Sequence, residues 1–139
     1  MKKAYLSPVT LPDWHTYFSQ VVIIEKYGLR MMYLAGQVGV DAEKKLVGNG
    51  SFQAQLEQAF RNLKTALKSA SATMSDIVKM TIYVVQYQPE QAELIGEVLR
   101  QYFEIGSLPA MSLIGVQALA EEHFLVEVDA EAIVEAEEE

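Results

Sequence analysis

The sequence predicts an α+β fold in which two helices cover one face of a mainly antiparallel sheet. Two segments carry apolar residues at three- and four-residue spacing, which is typical of amphipathic helices that pack on a core. Five shorter segments are rich in β-branched and aromatic residues, and two of them alternate between apolar and polar positions. Their order is strand, strand, helix, strand, helix, strand, strand, and helices inserted between strands favour a two-layer arrangement.

The first two strands are predicted to form a β-hairpin. Val21–Ile24 and Met31–Leu34 are apolar runs separated by the six residues EKYGLR. Gly28 lies in this connection, and glycine tolerates the positive φ that tight hairpin turns require. A loop follows, in which the run Gly-Asn-Gly at 48–50 indicates a further turn.

The first helix is predicted to begin after Ser51. A serine hydroxyl can accept a hydrogen bond from a free N–H group of the first helical turn, so Ser51 is a plausible N-cap. The residues that follow form one apolar stripe, which we expect to face the sheet: Phe52, Leu56, Ala59, Phe60, Leu63, Ala66, Leu67 and Ala70.

A strand and the second helix come next. In the strand Ile77–Val85, alternation predicts that Val78, Met80, Ile82 and Val84 share one face. Pro89 is expected to start the helix, because an N–H group in the first turn would have no hydrogen-bond partner and proline lacks one. Gly106 is expected to end it. The predicted buried face of this helix consists of Leu94, Ile95, Val98, Leu99, Tyr102 and Phe103.

The last two strands are predicted at Ser112–Gln117 and Phe124–Val134. The final strand has an apolar face, whereas its other face carries three carboxylates in alternation. The neighbouring strand is apolar on both faces, so the second face of the sheet is mixed. A mixed face of this size is often covered by another copy of the same chain, and we therefore expect an oligomer. The carboxylates are Glu127, Asp129 and Glu131.

Composition restricts the classes of function. The 139 residues suit one domain, predicted at 1–134, with a disordered acidic tail at 135–139. A net charge of −8 and the lack of a basic cluster oppose nucleic-acid binding. No apolar run reaches the roughly 20 residues of a membrane helix. The chain has no cysteine, and its N-terminus does not resemble a signal peptide, so we expect a cytoplasmic protein that contacts neither membranes nor nucleic acids.

The residues alone leave the chemistry open. The three carboxylates of the last strand could act as acid and base or hold a metal ion, and equally they could form a solvent-facing strand surface. His15 and His123 are too few for a convincing metal site, so we expect none. No phosphate-binding loop, nucleophile elbow or zinc-protease motif is present, and no cofactor is predicted.

Several segments together resemble the RidA/YjgF family, a group also labelled L-PSP endoribonuclease. The segments are FSQ at Phe18–Gln20, LAGQVGVD at Leu34–Asp41, the helix-to-strand block Gln55–Val84, LPAMSLIGVQAL at Leu108–Leu119 and VEVDAEA at Val126–Ala132. The resemblance covers roughly residues 14 to 134.

The resemblance implies a homotrimer with a chorismate-mutase-like fold. Three sheets would form a central barrel with the helices outside, and three clefts would lie between subunits. Deaminase members of the family hydrolyse reactive enamines and imines. In these members an arginine clamps the substrate carboxylate, and a glutamate on the last strand helps a water molecule to attack the imine carbon.

The clamp is the clearest departure from the family pattern. The family's Pro-Ala-Arg-Ser is Pro109-Ala110-Met111-Ser112 here, so a neutral thioether replaces the guanidinium. The family's acid is carried over to Asp129, which we expect to be the catalytic residue. Gly36 and Gln37 match the family and are expected to line the binding cleft.

Other polar positions of the family's cleft are also changed. The tyrosine position falls on Phe18, although Tyr17 is adjacent, and the serine position falls on Ala35. The asparagine of the second helix falls on or near Gly96, and a cysteine falls on Leu113. Because all these positions belong to one cleft, their joint change favours a drier pocket with a different ligand.

Three functions remain in competition. In the first, a divergent trimer binds or slowly hydrolyses a small neutral imine, ketone or related metabolite. In the second, the protein is an active enamine/imine deaminase acting on amino-acid-derived substrates, and another cation such as Arg30, or Lys79 from a neighbouring subunit, replaces the missing arginine. In the third, it is a non-catalytic structural trimer, so the sequence leaves open whether the protein is an enzyme. A ribonuclease has the least support, because the charge opposes RNA and no base and nucleophile pair is visible.

Overall fold

The computed structural model describes residues 1–137. It consists of one mixed, mostly antiparallel sheet of six strands with two helices packed on it. This confirms the predicted α+β class. The strands are β1 (Lys2–Leu6), β2 (Val21–Lys26), β3 (Leu29–Val38), β4 (Ile77–Val85), β5 (Ala110–Val116) and β6 (Val126–Glu135). The helices are α1 (Phe52–Ser69) and α2 (Gln91–Tyr102).

The strands are arranged in the order β1-β2-β3-β6-β4-β5. All neighbouring pairs are antiparallel except β4 and β5, which are parallel because α2 crosses over between them. The sequence did not predict β1, which pairs with β2 from Lys2 opposite Glu25 to Leu6 opposite Val21. Its residues are largely exposed, so they carry no apolar pattern that would have revealed a strand.

The hairpin prediction is confirmed. Lys26 lies opposite Leu29, so Tyr27 and Gly28 alone form the turn between β2 and β3. Both have positive φ, 55° and 74°, as a type I′ turn requires. The turn matches the twist of the strands and sets the register of the pair.

The first helix also follows the prediction. Ser51 caps it, because the Ser51 Oγ accepts a hydrogen bond from the Ala54 N–H at 3.1 Å. Its apolar stripe packs on the sheet, and the core includes Phe60 and Leu63 from α1 with Met32, Met80 and Val126 from three strands. The helices therefore cover one face of the sheet.

One face assignment in β4 is wrong. Val78 is 45% exposed, whereas Ile77 is only 5% exposed. The pairing of β4 with β6 shifts register between Ile77 and Lys79, which indicates a β-bulge. The extra residue reverses the alternation, so Ile77 takes the inward position at the start of the strand and Met80 continues the inward face.

Two predicted ends also differ from the structure. The second helix ends at Tyr102 with Phe103 in an extended conformation, and Gly106, at φ +97°, lies in the turn that follows. Glu135, assigned to the tail, is the last residue of β6 and lies opposite Leu29. Glu138 and Glu139, the end of the predicted tail, lie outside the described residues.

The second face of the sheet is open in the single chain. Glu127, Asp129 and Glu131 of β6 lie opposite Tyr83, Thr81 and Lys79 of β4, so the predicted acidic row does share one face. Large apolar side chains on this face are also exposed, namely Tyr33, Ile114 and Ile133. Within the described residues, neither helix is long and apolar enough to cross a membrane.

Candidate functional site

A cavity of about 410 Å³ lies where the loop between β1 and β2 meets β3 and β6. It combines aromatic rings with two carboxyl groups, an arrangement typical of small-molecule sites. Its lining residues are Trp14, Tyr17, Phe18, Gly36, Val38, Ala120, Glu121, Phe124 and Glu127. Three of the residues predicted for the cleft, Tyr17, Phe18 and Gly36, therefore do come together.

A buried amide chain fixes the aromatic loop of residues 7–20 against β3. The Gln37 Nε2 donates to the Gln20 Oε1 at 2.8 Å, and the Gln20 Nε2 donates to the Pro12 carbonyl at 3.2 Å. Both glutamines are only 3% exposed. Gln37, predicted to line the cleft, instead supports the loop from behind and does not line the cavity.

Within this loop the aromatic residues are held together. The Tyr17 and Phe18 N–H groups both donate to the Trp14 carbonyl, which closes a short turn. The rings of Trp14 and Phe18 stack with their centroids 6.3 Å apart. The Lys44 ammonium lies 4.2 Å from the centroid of the Trp14 ring, a cation–π contact that anchors the same indole.

A bulge in β3 brings Gly36 against Glu127. Leu34 lies opposite Ala130 and Gln37 opposite Val128, so Ala35 and Gly36 together face a single residue of β6. A Cβ atom at position 36 would lie 2.5 Å from the Glu127 Cδ. Only glycine leaves room for the Glu127 carboxyl group at this position. Ala35, predicted to line the cleft, sits in the bulge but is not a lining residue.

Of the acidic row on β6, Glu127 lines the cavity, two residues before the expected Asp129. Burial, followed by the nearby charge of Asp129, raises the pKa of Glu127 above its usual value. Asp129 does not line the cavity, and its Oδ2 accepts a hydrogen bond from the Tyr83 hydroxyl at 3.3 Å. Burial, with Asp129 as the second cause, raises the pKa of Tyr83.

The other predicted cleft residues lie elsewhere on the chain. Met111 of β5 lies opposite Met80 and is partly buried, with its side chain packed against the edge of the core beneath the helices. Leu113 follows on the same face, and Gly96 lies on α2, where a Cβ would come within 3.1 Å of the Arg100 guanidinium. Strands β6 and β4 separate β3 from β5, a distance of about 14 Å at ordinary strand spacing. One chain therefore does not unite Met111, Leu113 and Gly96 with the aromatic loop.

Two buried polar side chains of α1 hold the loops beside the cavity. The Asn62 Nδ2 donates to the Val38 and Val40 carbonyls, and the Gln55 amide bonds the backbone of His123 and Leu125. Sequence reasoning missed both residues. Their signal is an uncharged polar residue within the apolar stripe of an otherwise amphipathic helix.

The histidines do not form a metal site. His15 bonds the exposed Asp13 in the aromatic loop, and His123 lies in the loop before β6. His15 lowers the pKa of Asp13, mainly through the hydrogen bond between the two side chains. Across residues 1–137 no group of three or more histidine and carboxylate side chains is placed to hold a metal ion.

Curated relatives of this chain include imine deaminases. It is 30% identical to a protein of Dermatophagoides farinae named 2-iminobutanoate/2-iminopropanoate deaminase, in a match that covers 75% of this chain and 78% of the relative. The human protein of the same name is 28% identical, in a match that covers 74% of this chain and 78% of the human protein.

Solved structures agree with these sequence matches. A Yersinia pestis protein of the conserved Rid family is 34% identical and superposes with a TM-score of 0.72 over 96% of this chain and 100% of the other. A second Rid-family protein from the same organism is 26% identical and superposes with a TM-score of 0.81, over 96% of this chain and 100% of the other. Residues 11–134 match the family model described as endoribonuclease L-PSP. The chain therefore belongs to the endoribonuclease L-PSP family, which includes the RidA/YjgF proteins.

Proposed function

We propose that this protein is a homotrimer whose intersubunit cleft lacks a carboxylate clamp and binds or slowly hydrolyses a small neutral imine, ketone or related metabolite. The observation that carries the proposal is the lining of the cavity. Its described residues include two carboxyl groups and no lysine, arginine or histidine. A ligand that bears a carboxylate would meet repulsion there, whereas a ligand without one would not.

A second copy would complete the cleft. The aromatic loop is fixed to β3, three strands from β5, and Glu127 on β6 lies two strands from β5, so a partner's β5 edge is the natural source of the second wall. In this arrangement Met111 contributes no cation, because its side chain is uncharged and packs against its own core.

Hydrolysis at this cleft would use Glu127 as the base. Its carboxylate accepts a proton as the oxygen of a water molecule bonds to the imine carbon, and the imine nitrogen takes up a proton from solvent. Glu127 then returns its proton to the nitrogen of the resulting carbinolamine. As the C–N bond breaks, the hydroxyl oxygen forms the C=O bond and gives its proton to solvent, so an amine leaves and a carbonyl compound remains. Burial, followed by the nearby charge of Asp129, raises the pKa of Glu127, which makes its carboxylate a stronger base than an exposed glutamate.

A coupled assay tests the proposal. A pyridoxal-phosphate-dependent dehydratase generates 2-aminoacrylate, whose imine form carries a carboxylate, and keto-acid release is followed with and without this protein. We expect little or no acceleration. A clear acceleration that Glu127→Gln abolishes would contradict the proposal.

The names of the relatives favour a second candidate, an active deaminase of 2-iminobutanoate or 2-iminopropanoate type. It needs a cation other than the missing arginine, and Lys79 is available on the open face, where its Nζ donates to the Ser112 Oγ at 3.1 Å. Arg30 is the other basic candidate. If the coupled assay is positive, loss of activity in Lys79→Ala or Arg30→Ala would identify the cation.

A further inference from the structure

The lining of the cavity has the composition of a cation site. Glu127 supplies a carboxyl group inside it and Glu121 supplies a second one that is more exposed. Aromatic rings form much of the remaining wall, from Trp14, Tyr17, Phe18 and Phe124. Carboxylates attract a positive charge directly, and aromatic faces attract it through their quadrupole.

The Glu127 carboxyl group has unused capacity as a hydrogen-bond acceptor. Among residues 1–137 no side chain or backbone N–H donates to it, and no basic side chain pairs with it. Its neighbours on the strands are the Asp129 carboxylate, which is repulsive, and Tyr83, whose hydroxyl bonds Asp129 instead. A partly buried carboxylate in this position is stabilised by a ligand that brings N–H donors and positive charge.

The aromatic loop already binds one cation of the protein itself. The Lys44 ammonium stands over the Trp14 ring, 4.2 Å from its centroid, although Lys44 is not a lining residue. Beside it Tyr17 is largely exposed and Phe18 is 43% exposed, so both rings leave surface that a ligand can contact.

We propose that this cleft takes its ligand as a nitrogen cation, a protonated imine or the corresponding amine, in preference to an uncharged ketone of the same shape. The inference rests on the proposed function, since it concerns the same cleft: the ligand still lacks a carboxylate, but it binds with its nitrogen protonated. A ketone offers Glu127 neither charge nor an N–H donor. A protonated nitrogen offers both, and its charge also lies against the aromatic faces.

The chain provides its own reporter for the test. Trp14 is the only tryptophan of the sequence and lines the cavity, so its fluorescence follows occupancy. The probes are cyclohexylamine, cyclohexanone and cyclohexanecarboxylate at pH 7.5, which share a ring and differ in charge. We expect the ammonium to bind about tenfold more tightly than the ketone, and the carboxylate to bind most weakly.

Two matched variants locate the interaction. Glu127→Gln keeps the shape of the side chain and removes its charge. It should therefore weaken the binding of cyclohexylamine about tenfold and leave the affinity for cyclohexanone unchanged. Glu131→Gln makes the same change on the same strand face but outside the cavity, and it should alter neither affinity. Light scattering and circular dichroism on each variant show whether assembly and fold are retained.

The outcomes separate this inference from the proposed function. If cyclohexanone binds as tightly as cyclohexylamine, or if Glu127→Gln leaves the ammonium affinity unchanged, the cation preference is overturned and the proposed function stands. If cyclohexanecarboxylate binds most tightly, both are overturned. If no probe changes Trp14 fluorescence at millimolar concentration, the cavity does not bind small rings and both are again contradicted.

Discussion

At the scale of single residues, the contact between Gly36 and Glu127 defines the candidate site. We expect Gly36→Ala to displace the Glu127 carboxyl group, because the new Cβ would lie 2.5 Å from the Glu127 Cδ. Cyclohexylamine binding, followed by Trp14 fluorescence, should fall in this variant. The control is Gly96→Ala, where the added Cβ meets only the flexible end of Arg100. It should raise the free energy of unfolding by about 0.5–1 kcal/mol, as is usual for glycine to alanine inside a helix. Equal binding in the two variants would show that the Gly36 contact does not position the acid.

The raised pKa of Glu127 predicts a pH dependence of stability. The folded protein retains the proton of this carboxyl group at pH values where the unfolded chain has lost it, so Glu127 destabilises the fold progressively as pH rises above the usual glutamate pKa of about 4.5. Glu127→Gln, which cannot ionise, should therefore be more stable than the natural protein at pH 7. This gain in stability should disappear near pH 4, where Glu127 of the natural protein is protonated and therefore as neutral as the glutamine of the variant. Urea denaturation at the two pH values measures the difference, and a gain that persists unchanged at pH 4 would show that ionisation of Glu127 is not its cause.

The sequence placed the acidic row on one strand face but did not identify which of its members lines the cavity. Alternation puts Glu127, Asp129 and Glu131 on the same side and treats them alike. The choice depends on where the bulge in β3 leaves space, at Gly36, and a bulge leaves no periodic signal. Gln37 was expected in the cleft from the family resemblance alone, and its side chain is buried behind the cavity.

At the scale of secondary structure elements, α1 is the part whose energetics follow most directly from the sequence. Leu63 is fully buried in the centre of its apolar stripe, so Leu63→Ala should lower the free energy of unfolding by about 2–5 kcal/mol through lost burial and a cavity. Lys64 is exposed at the next position, and Lys64→Ala should change the free energy of unfolding by less than about 0.5 kcal/mol. Chemical denaturation of both variants checks the face of the helix, and equal effects would show that the face is misassigned.

Elements with strong periodicity or turn chemistry were predictable, and elements defined only by pairing were not. The hairpin around Gly28 and the Ser51 cap of α1 each have a local physical signal, and both were predicted. Strand β1 has none, since its residues are exposed and its existence depends on hydrogen bonds to β2. The bulge that turns Val78 outward is likewise a property of the β4–β6 pair.

At the scale of the whole molecule, the open sheet face predicts association. We expect light scattering on a size-exclusion column to give three times the chain mass of 15.5 kDa. Ile133→Lys places a charge among the exposed apolar groups of this face and should shift the mass to the monomer. Ile105→Lys, at an equally apolar but isolated residue in the turn after α2, should leave the trimer intact. A monomeric natural protein at micromolar concentration would contradict the assembly.

The central claim is that the cleft accepts imines without a carboxylate and rejects those that carry one. The most direct test uses two imines that differ only in that group. N-benzylidene methylamine and its 4-carboxylate analogue both release methylamine and an aromatic aldehyde, so the absorbance of the aldehyde reports hydrolysis of each. We expect the protein to accelerate hydrolysis of the imine that lacks the carboxylate, with loss of the effect in Glu127→Gln, and to leave the carboxylate analogue at its spontaneous rate. Faster hydrolysis of the carboxylate analogue would contradict the claim, since it would require a cation in the cleft that clamps the carboxylate.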